Sequence, residues 1–171
     1  MKGTERAQGL TNVLTFNDGM LAMALTDVTD ELATRRLRDG GPSMAWIVGH
    51  MLHHRNQIAA AIGCAGPAID LTRFAGAATD GQGYPGIGQL QTEWNRFSAR
   101  LVAAVNALSD GGLSAPSPMA LPHGEQTLLD ALRFVVWHET LHLGQASMLR
   151  SHHGLTPLVT LVLERAAAVP A

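Results

Sequence analysis

The sequence predicts an all-α protein: a four-helix bundle followed by a short C-terminal helix. Four stretches repeat apolar residues at spacings of three and four, the period of one helical face. Strand-like alternation is nearly absent, and no internal repeat is visible. A third observation bears on chain order. Residues 64–86, rich in Gly, Pro, Ala and Thr, form a connection far longer than the usual ~2–8 residues between helices.

The first stripe is Leu10, Val13, Leu14, Asn17, Met20, Leu21, Ala24 and Leu25, fading into the turn-forming run Thr26 to Asp30. The second follows Gly40-Gly41-Pro42, takes Ser43 as its N-cap, and runs through Ile47, His50, Met51, His54, Ile58 and Ile62 to Gly63–Gly66. The third is Ile87, Leu90, Trp94, Phe97, Leu101, Val105 and Leu108, closed by Asp110-Gly111-Gly112. The fourth follows Pro122-His123-Gly124 and reads Leu128, Leu132, Val135, His138, His142, Gln145 and Leu149, with Gly154 and Pro157 ending it. The apolar run Leu158 to Leu163 predicts the fifth helix, packed across the others.

A helix of about 20 residues is about 30 Å long, and a connection of this length can run back along it. The second and third helices then lie parallel. With the other two connections antiparallel the order is up-down-down-up, a known bundle variant. Long loops often lie over functional sites, which gives this one a second role.

At 171 residues, with 46% hydrophobic and 15% charged residues, the composition fits one globular domain, residues 1–171. The net charge of −2 and scattered Lys and Arg give no footprint for nucleic acid. The one basic cluster, Arg35, Arg36 and Arg38, reads as a solvated loop. Cys64 is the only cysteine, so an internal disulfide is impossible; its expected role is a small apolar filler at a helix end. There is no signal-peptide pattern and no apolar run near the ~20 residues of a membrane span, so the expected setting is cytoplasmic. A homodimer through an apolar helix face stays open.

The chemistry lies in eight histidines. His138 and His142 are four apart and share one helical face with Val135 and Leu149, so they face the core. A buried imidazole needs a partner, and a divalent metal uses its lone pair. His50 and His54 form a second pair four apart on the second stripe, with His53 between them, and spacing alone lets either supply a third ligand. His138-Glu139-Thr140-Leu141-His142 also spells the H-E-x-x-H motif of zinc peptidases, with Glu139 as base. The extended metzincin pattern fails, because Gly144 falls one position early and Met148 stands where a third histidine belongs. His123 reads as a loop residue, and His152 and His153 as groups suited to a helix C-terminus. Trp46, Trp94 and Trp137 read as packing residues. Asn17 either faces the cavity or bonds a neighbouring helix.

Two segments resemble the DinB-like (YfiT-like) metalloenzyme superfamily. Ser43-Met44-Ala45-Trp46-Ile47-Val48-Gly49-His50 is similar to the opening of that family's second helix, which leads to a metal-binding histidine. His138 to Gln145 resembles its second signature, two histidines four apart before Gly-Gln. The resemblance covers nearly the whole chain and implies an up-down-down-up bundle with His50, His138 and His142 as metal ligands. His54 is then left one turn away, either supporting the ligands from outside or facing substrate. One departure is Leu141, where many relatives carry a further histidine.

Three imidazoles leave at least one position on the ion open, the pattern of catalytic rather than structural sites. They suit several divalent ions, zinc or nickel foremost. The resemblance implies metal-dependent hydrolases, or transferases and isomerases that use low-molecular-weight thiols. The expectation is therefore an enzyme acting on a small molecule, with His54 or Glu139 moving the proton. The alternatives are a non-catalytic metal-binding or stress-associated bundle and, third, a peptidase.

Overall fold

The computed structural model describes residues 4–37, 40–78 and 83–168. Its helices are α1 (Glu5–Ala24), α2 (Asp30–Thr34), α3 (Met44–Ala61), α4 (Ile87–Asn106), α5 (Asp110–Leu113), α6 (Leu128–His152) and α7 (Leu158–Ala167). Among the described residues there is no strand, only two isolated bridges, Arg36 to Ser43 and Pro116 to Thr127. No helix among them is long and apolar enough to cross a membrane.

Capping side chains set where the helices begin. Thr4, Thr29, Ser43, Ser109 and Thr127 each accept a backbone N–H of the first turn. Thr127 and Asp130 form a reciprocal capping box at the start of α6. The two short helices were not foreseen; each is a single capped turn inside what the sequence marks as a connection.

The four long helices form a ring: α1 and α3 each pack on both α4 and α6. Leu14, Leu21, Ile47, Met51, Leu52, Ile58, Leu90, Trp94 and Phe97 fill the middle and are essentially inaccessible. Val13 is the exception on the first stripe, lying partly exposed, while Ala7 and Thr11 take buried places instead. α3 is the most enclosed helix, buried without a break from Met44 to Leu52.

Side-chain pairings give the helix senses. His50 lies against His142 while His54 lies against His138, so α3 and α6 run oppositely. Asn17 meets Glu139, and Arg150 meets the carbonyls of Ala24 and Thr26, so α1 and α6 run together. The fully buried Arg150 thereby closes the C-terminal end of α1, where a cation also suits the helix dipole.

The 62–86 connection is built rather than loose. It carries a 3-10 turn, Thr72–Phe74, opened by Asp70 accepting from the Thr72 amide and hydroxyl. The Phe74 ring is fully buried against Gly49, where an added Cβ would lie 2.3 Å from it. Asp30 of α2 accepts the Ile87 amide at 2.7 Å and so caps α4.

Several sequence expectations change. Arg36 is half-buried and donates to the carbonyls of Gly41 and Ala78, so it ties two connections together instead of standing in solvent. Arg35 does stand exposed, paired with Glu31, and Arg38 lies outside the described residues. Cys64 packs half-buried beyond the end of α3. α7 contacts α1 and α6 but buries only Leu158, leaving Val159 and Leu163 exposed.

Candidate metal centre

Three histidines converge between α3 and α6. His50, His138 and His142 each offer a ring nitrogen, and these three atoms lie within 4.8 Å of one another. The His138 and His142 Nε2 atoms are 3.0 Å apart. Tetrahedral nitrogens about 2.0–2.1 Å from zinc would sit roughly 3.3 Å apart, so this pair is already near that spacing.

Hydrogen bonds select the nitrogen that each ring presents. His50 Nδ1 lies 2.6 Å from the Phe74 carbonyl, which can only accept, so Nδ1 carries the proton and Nε2 keeps its lone pair. His142 Nδ1 donates in the same way to Gln145 Oε1 at 2.7 Å. Such outer partners fix the tautomer and orientation of metal-binding imidazoles. His138 is the loose member, its Nδ1 buried and without a hydrogen-bond partner.

Burial keeps the rings neutral. It pushes His138 down to about 3, helped by repulsion from His142, His54 and His50. Burial likewise lowers His50 to about 4 against the opposing Phe74 bond, and lowers His142. The donor set fits a divalent ion: all nitrogen, uncharged near neutrality and, among the described residues, joined by no carboxylate. Trp46 stacks on His50 at 4.2 Å and meets His142 edge-on at 5.7 Å, so it packs the centre itself; its Nε1 is buried without a partner.

His54 borders the cluster, its ring 4.7 Å from His50 and 4.5 Å from His138. Its Nδ1 faces Gln57 Oε1 at 3.1 Å, and burial, with His53 nearby, lowers it to about 4. His53 is half-buried and lowered mainly by burial. His123 and His152 are exposed, as expected for residues outside the centre. Leu141 is also exposed, so the departure at that position lies on the outer face of α6.

Glu139 takes a different place from the base of a peptidase. Its carboxylate is fully buried and faces Arg55, with Nε to Oε1 at 2.5 Å and Nη2 to Oε2 at 2.9 Å. Asn17 donates to Oε2 at 3.0 Å, which resolves that residue's role as a link between helices. Arg55 also donates to Asp18 and Ser98, and its guanidinium lies 4.1 Å over the Trp94 ring. Burial opposes its charge, but Glu139 and Asp18 outweigh this and hold Arg55 above its ordinary value.

Arg55 was missed in the sequence, although a signal exists. It follows Met51 by four and precedes Ile58 by three, which puts a cation on the buried stripe. Trp137 was misjudged as packing: it is 60% exposed, because it follows Val135 by two and so turns to the outer side of α6.

Fold and site together define a helical bundle with a three-histidine cluster between two of its long helices. The chain belongs to the DinB superfamily, whose family model matches residues 14–146. Two solved structures share the fold. One is a DinB-like protein from Bacillus cereus ATCC 10987, with TM-score 0.67 and 17% identity over 92% of this chain and 97% of that one. The other is a conserved protein from Enterococcus faecalis, with TM-score 0.66 and 16% identity over 88% and 96%. No curated protein matches the sequence.

Proposed function

We propose that the protein binds one divalent metal ion, zinc or nickel foremost, through His50, His138 and His142. We further propose that it uses this ion as a hydrolase or a low-molecular-weight-thiol transferase acting on a small molecule. The observation that carries the reading is the paired orientation of His50 and His142, whose Nδ1 protons are held by Phe74 and Gln145 so that both Nε2 lone pairs are available. When bound, such an ion supplies Lewis-acid polarisation and lowers the pKa of a water or thiol in its open position.

The protein's own residues would supply the rest. His54 is neutral near pH 7, donates from Nδ1 to Gln57, and keeps Nε2 free to take a proton from a nucleophile bound beside it. Trp46 excludes water from one side of His50. Glu139 is assigned to positioning, since Arg55 and Asn17 occupy its carboxylate.

A second reading follows from His54's closeness to the cluster. As a fourth ligand it would close the site and make it a non-catalytic metal-binding centre. Elemental analysis of the untagged protein beside His50→Ala, His142→Ala and His54→Ala tests both. The catalytic reading expects about one equivalent in the parent and in His54→Ala, loss in the other two, and turnover of a small thiol or ester that His54→Ala diminishes. No metal after reconstitution refutes both readings. Metal lost with His54→Ala, without turnover in the parent, favours the closed site.

A further inference from the structure

Next to the histidines, α6 carries residues that the metal chemistry does not use. Its first turns and the segment before them line a solvent-open cavity of about 470 Å³. Ligand sites commonly span about 300–1,000 Å³. The walls include Leu121, Pro122, His123, Arg133, Phe134 and Trp137.

Phe134 connects this cavity to the centre. Its ring stacks on His138, with centroids 5.4 Å apart and planes 15° from parallel, and meets His54 edge-on at 6.2 Å. The same ring lies 5.8 Å from Trp137, whose indole is left largely open to solvent on the cavity wall. A large exposed aromatic beside a second one offers a stacking surface for a flat molecule.

The polar groups are unequal. Asp130 also lines the cavity, but its Oδ2 accepts from the Thr127 hydroxyl and the Glu125 amide, which commits that oxygen to the start of the helix. Arg133 touches Asp130 Oδ1 through one nitrogen at 3.3 Å, and its side chain is 61% exposed. A guanidinium has five N–H donors in a fork that matches a carboxylate. Most of that capacity is free to face a ligand.

We propose that the cavity binds the non-reacting part of the substrate: a planar apolar body stacked on Trp137 and packed against Phe134, whose ring is tilted 43° from the indole, carrying a carboxylate that Arg133 holds. The reacting end then passes Phe134 toward His54 and His138. The inference rests on the metal-centre reading for its purpose, but binding in the cavity needs no metal.

Titration calorimetry with 2-naphthoate tests it, on the parent before and after chelation and on His142→Ala, Trp137→Ala and Arg133→Gln. The neutral 2-naphthamide serves as control. Saturable binding below about 1 mM is expected, unchanged by chelation or by His142→Ala. Trp137→Ala, Arg133→Gln and the amide should each weaken it at least about fivefold. Both substituted side chains are exposed, and circular dichroism checks that the variants stay folded. No saturable binding, undiminished binding in Trp137→Ala, or equal binding of the amide overturns the proposal. Binding lost on chelation alone also overturns it, because the ligand then sits on the metal. A parent that binds naphthoate but no metal refutes the metal centre and leaves the cavity standing.

Discussion

Replacing Glu139 by Gln separates two accounts of the H-E-x-x-H segment. The substitution keeps shape and removes charge. In the parent, both carboxylate oxygens meet Arg55, at 2.5 and 2.9 Å, and both side chains are buried. A glutamine amide sets its own N–H₂ against one Arg55 donor, and the guanidinium keeps only Asp18, a quarter exposed, as countercharge. Removing one partner of a buried ion pair costs about 3–5 kcal/mol. In a chain of this size each kcal/mol lowers Tm by roughly 2–4 °C, so Glu139→Gln should melt about 10 °C lower. Urea denaturation and thermal melts read this directly, with metal content measured beside them. The folded variant should still hold its metal. Arg55→Met combined with Glu139→Leu should cost less than the sum of the two single changes, because neither member of the buried pair is left without the other, and Asp18, a quarter exposed, keeps the Trp94 donor. A Glu139→Gln protein that loses under about 1 kcal/mol yet has no activity would refute the positioning role and restore Glu139 as a base.

Two further outcomes follow from the same geometry. Gly49→Ala drives a Cβ into the Phe74 ring and so moves the carbonyl that holds His50 Nδ1. We expect a loss of about 1–3 kcal/mol in stability from overpacking and roughly 10–100-fold weaker metal binding in a competition with a chromophoric chelator; unchanged affinity would break the link between Phe74 and the site. The metal-free protein should lose stability in mild acid. His50 and His54 are held near 4 and His138 near 3, below the ordinary 6.5, so protons bind the unfolded chain first. The loss therefore begins as pH falls through about 6.5 and levels off near 3–4, and amounts to a few kcal/mol, on the order of 1 kcal/mol or more per ring. Urea midpoints between pH 7.5 and 4.5 that do not fall would contradict the burial of these rings.

The long helices were legible because each buries one face, and the period of that face survives in Leu, Ile, Val and Trp positions. Ser43 as a cap and the glycines after the second and fourth stripes were legible for the same local reason. Gly63 and Gly154 take the positive φ that ends those helices. Short helices α2 and α5 were not, since one capped turn has no periodicity to detect. The convergence of His138 and His142 followed from spacing, whereas the choice of His50 over His54 came from the family motif. What no spacing could supply was the outer support. Phe74 bonds His50 from 24 residues away through a backbone carbonyl, and its placement depends on the missing Cβ of Gly49.

The arrangement also explains why charge sits beside His54 and His138. His54 and Arg55 are consecutive on α3, and His138 and Glu139 are consecutive on α6, so each pair diverges by about 100° around its helix. Because the two helices run oppositely, the pairs meet at one level: His54 lies 4.5 Å from His138 on one side, and Arg55 bonds Glu139 on the other. A slip of α3 along α6 by one residue, about 1.5 Å, would open the bidentate pair and pull the imidazoles apart together. Apolar side chains in place of the ion pair can restore stability, but they tolerate such slips, since dispersion and burial are non-directional. The bidentate pair is directional. That is the physical reason to expect the Arg55→Met, Glu139→Leu protein to fold well and yet bind metal more weakly than the parent.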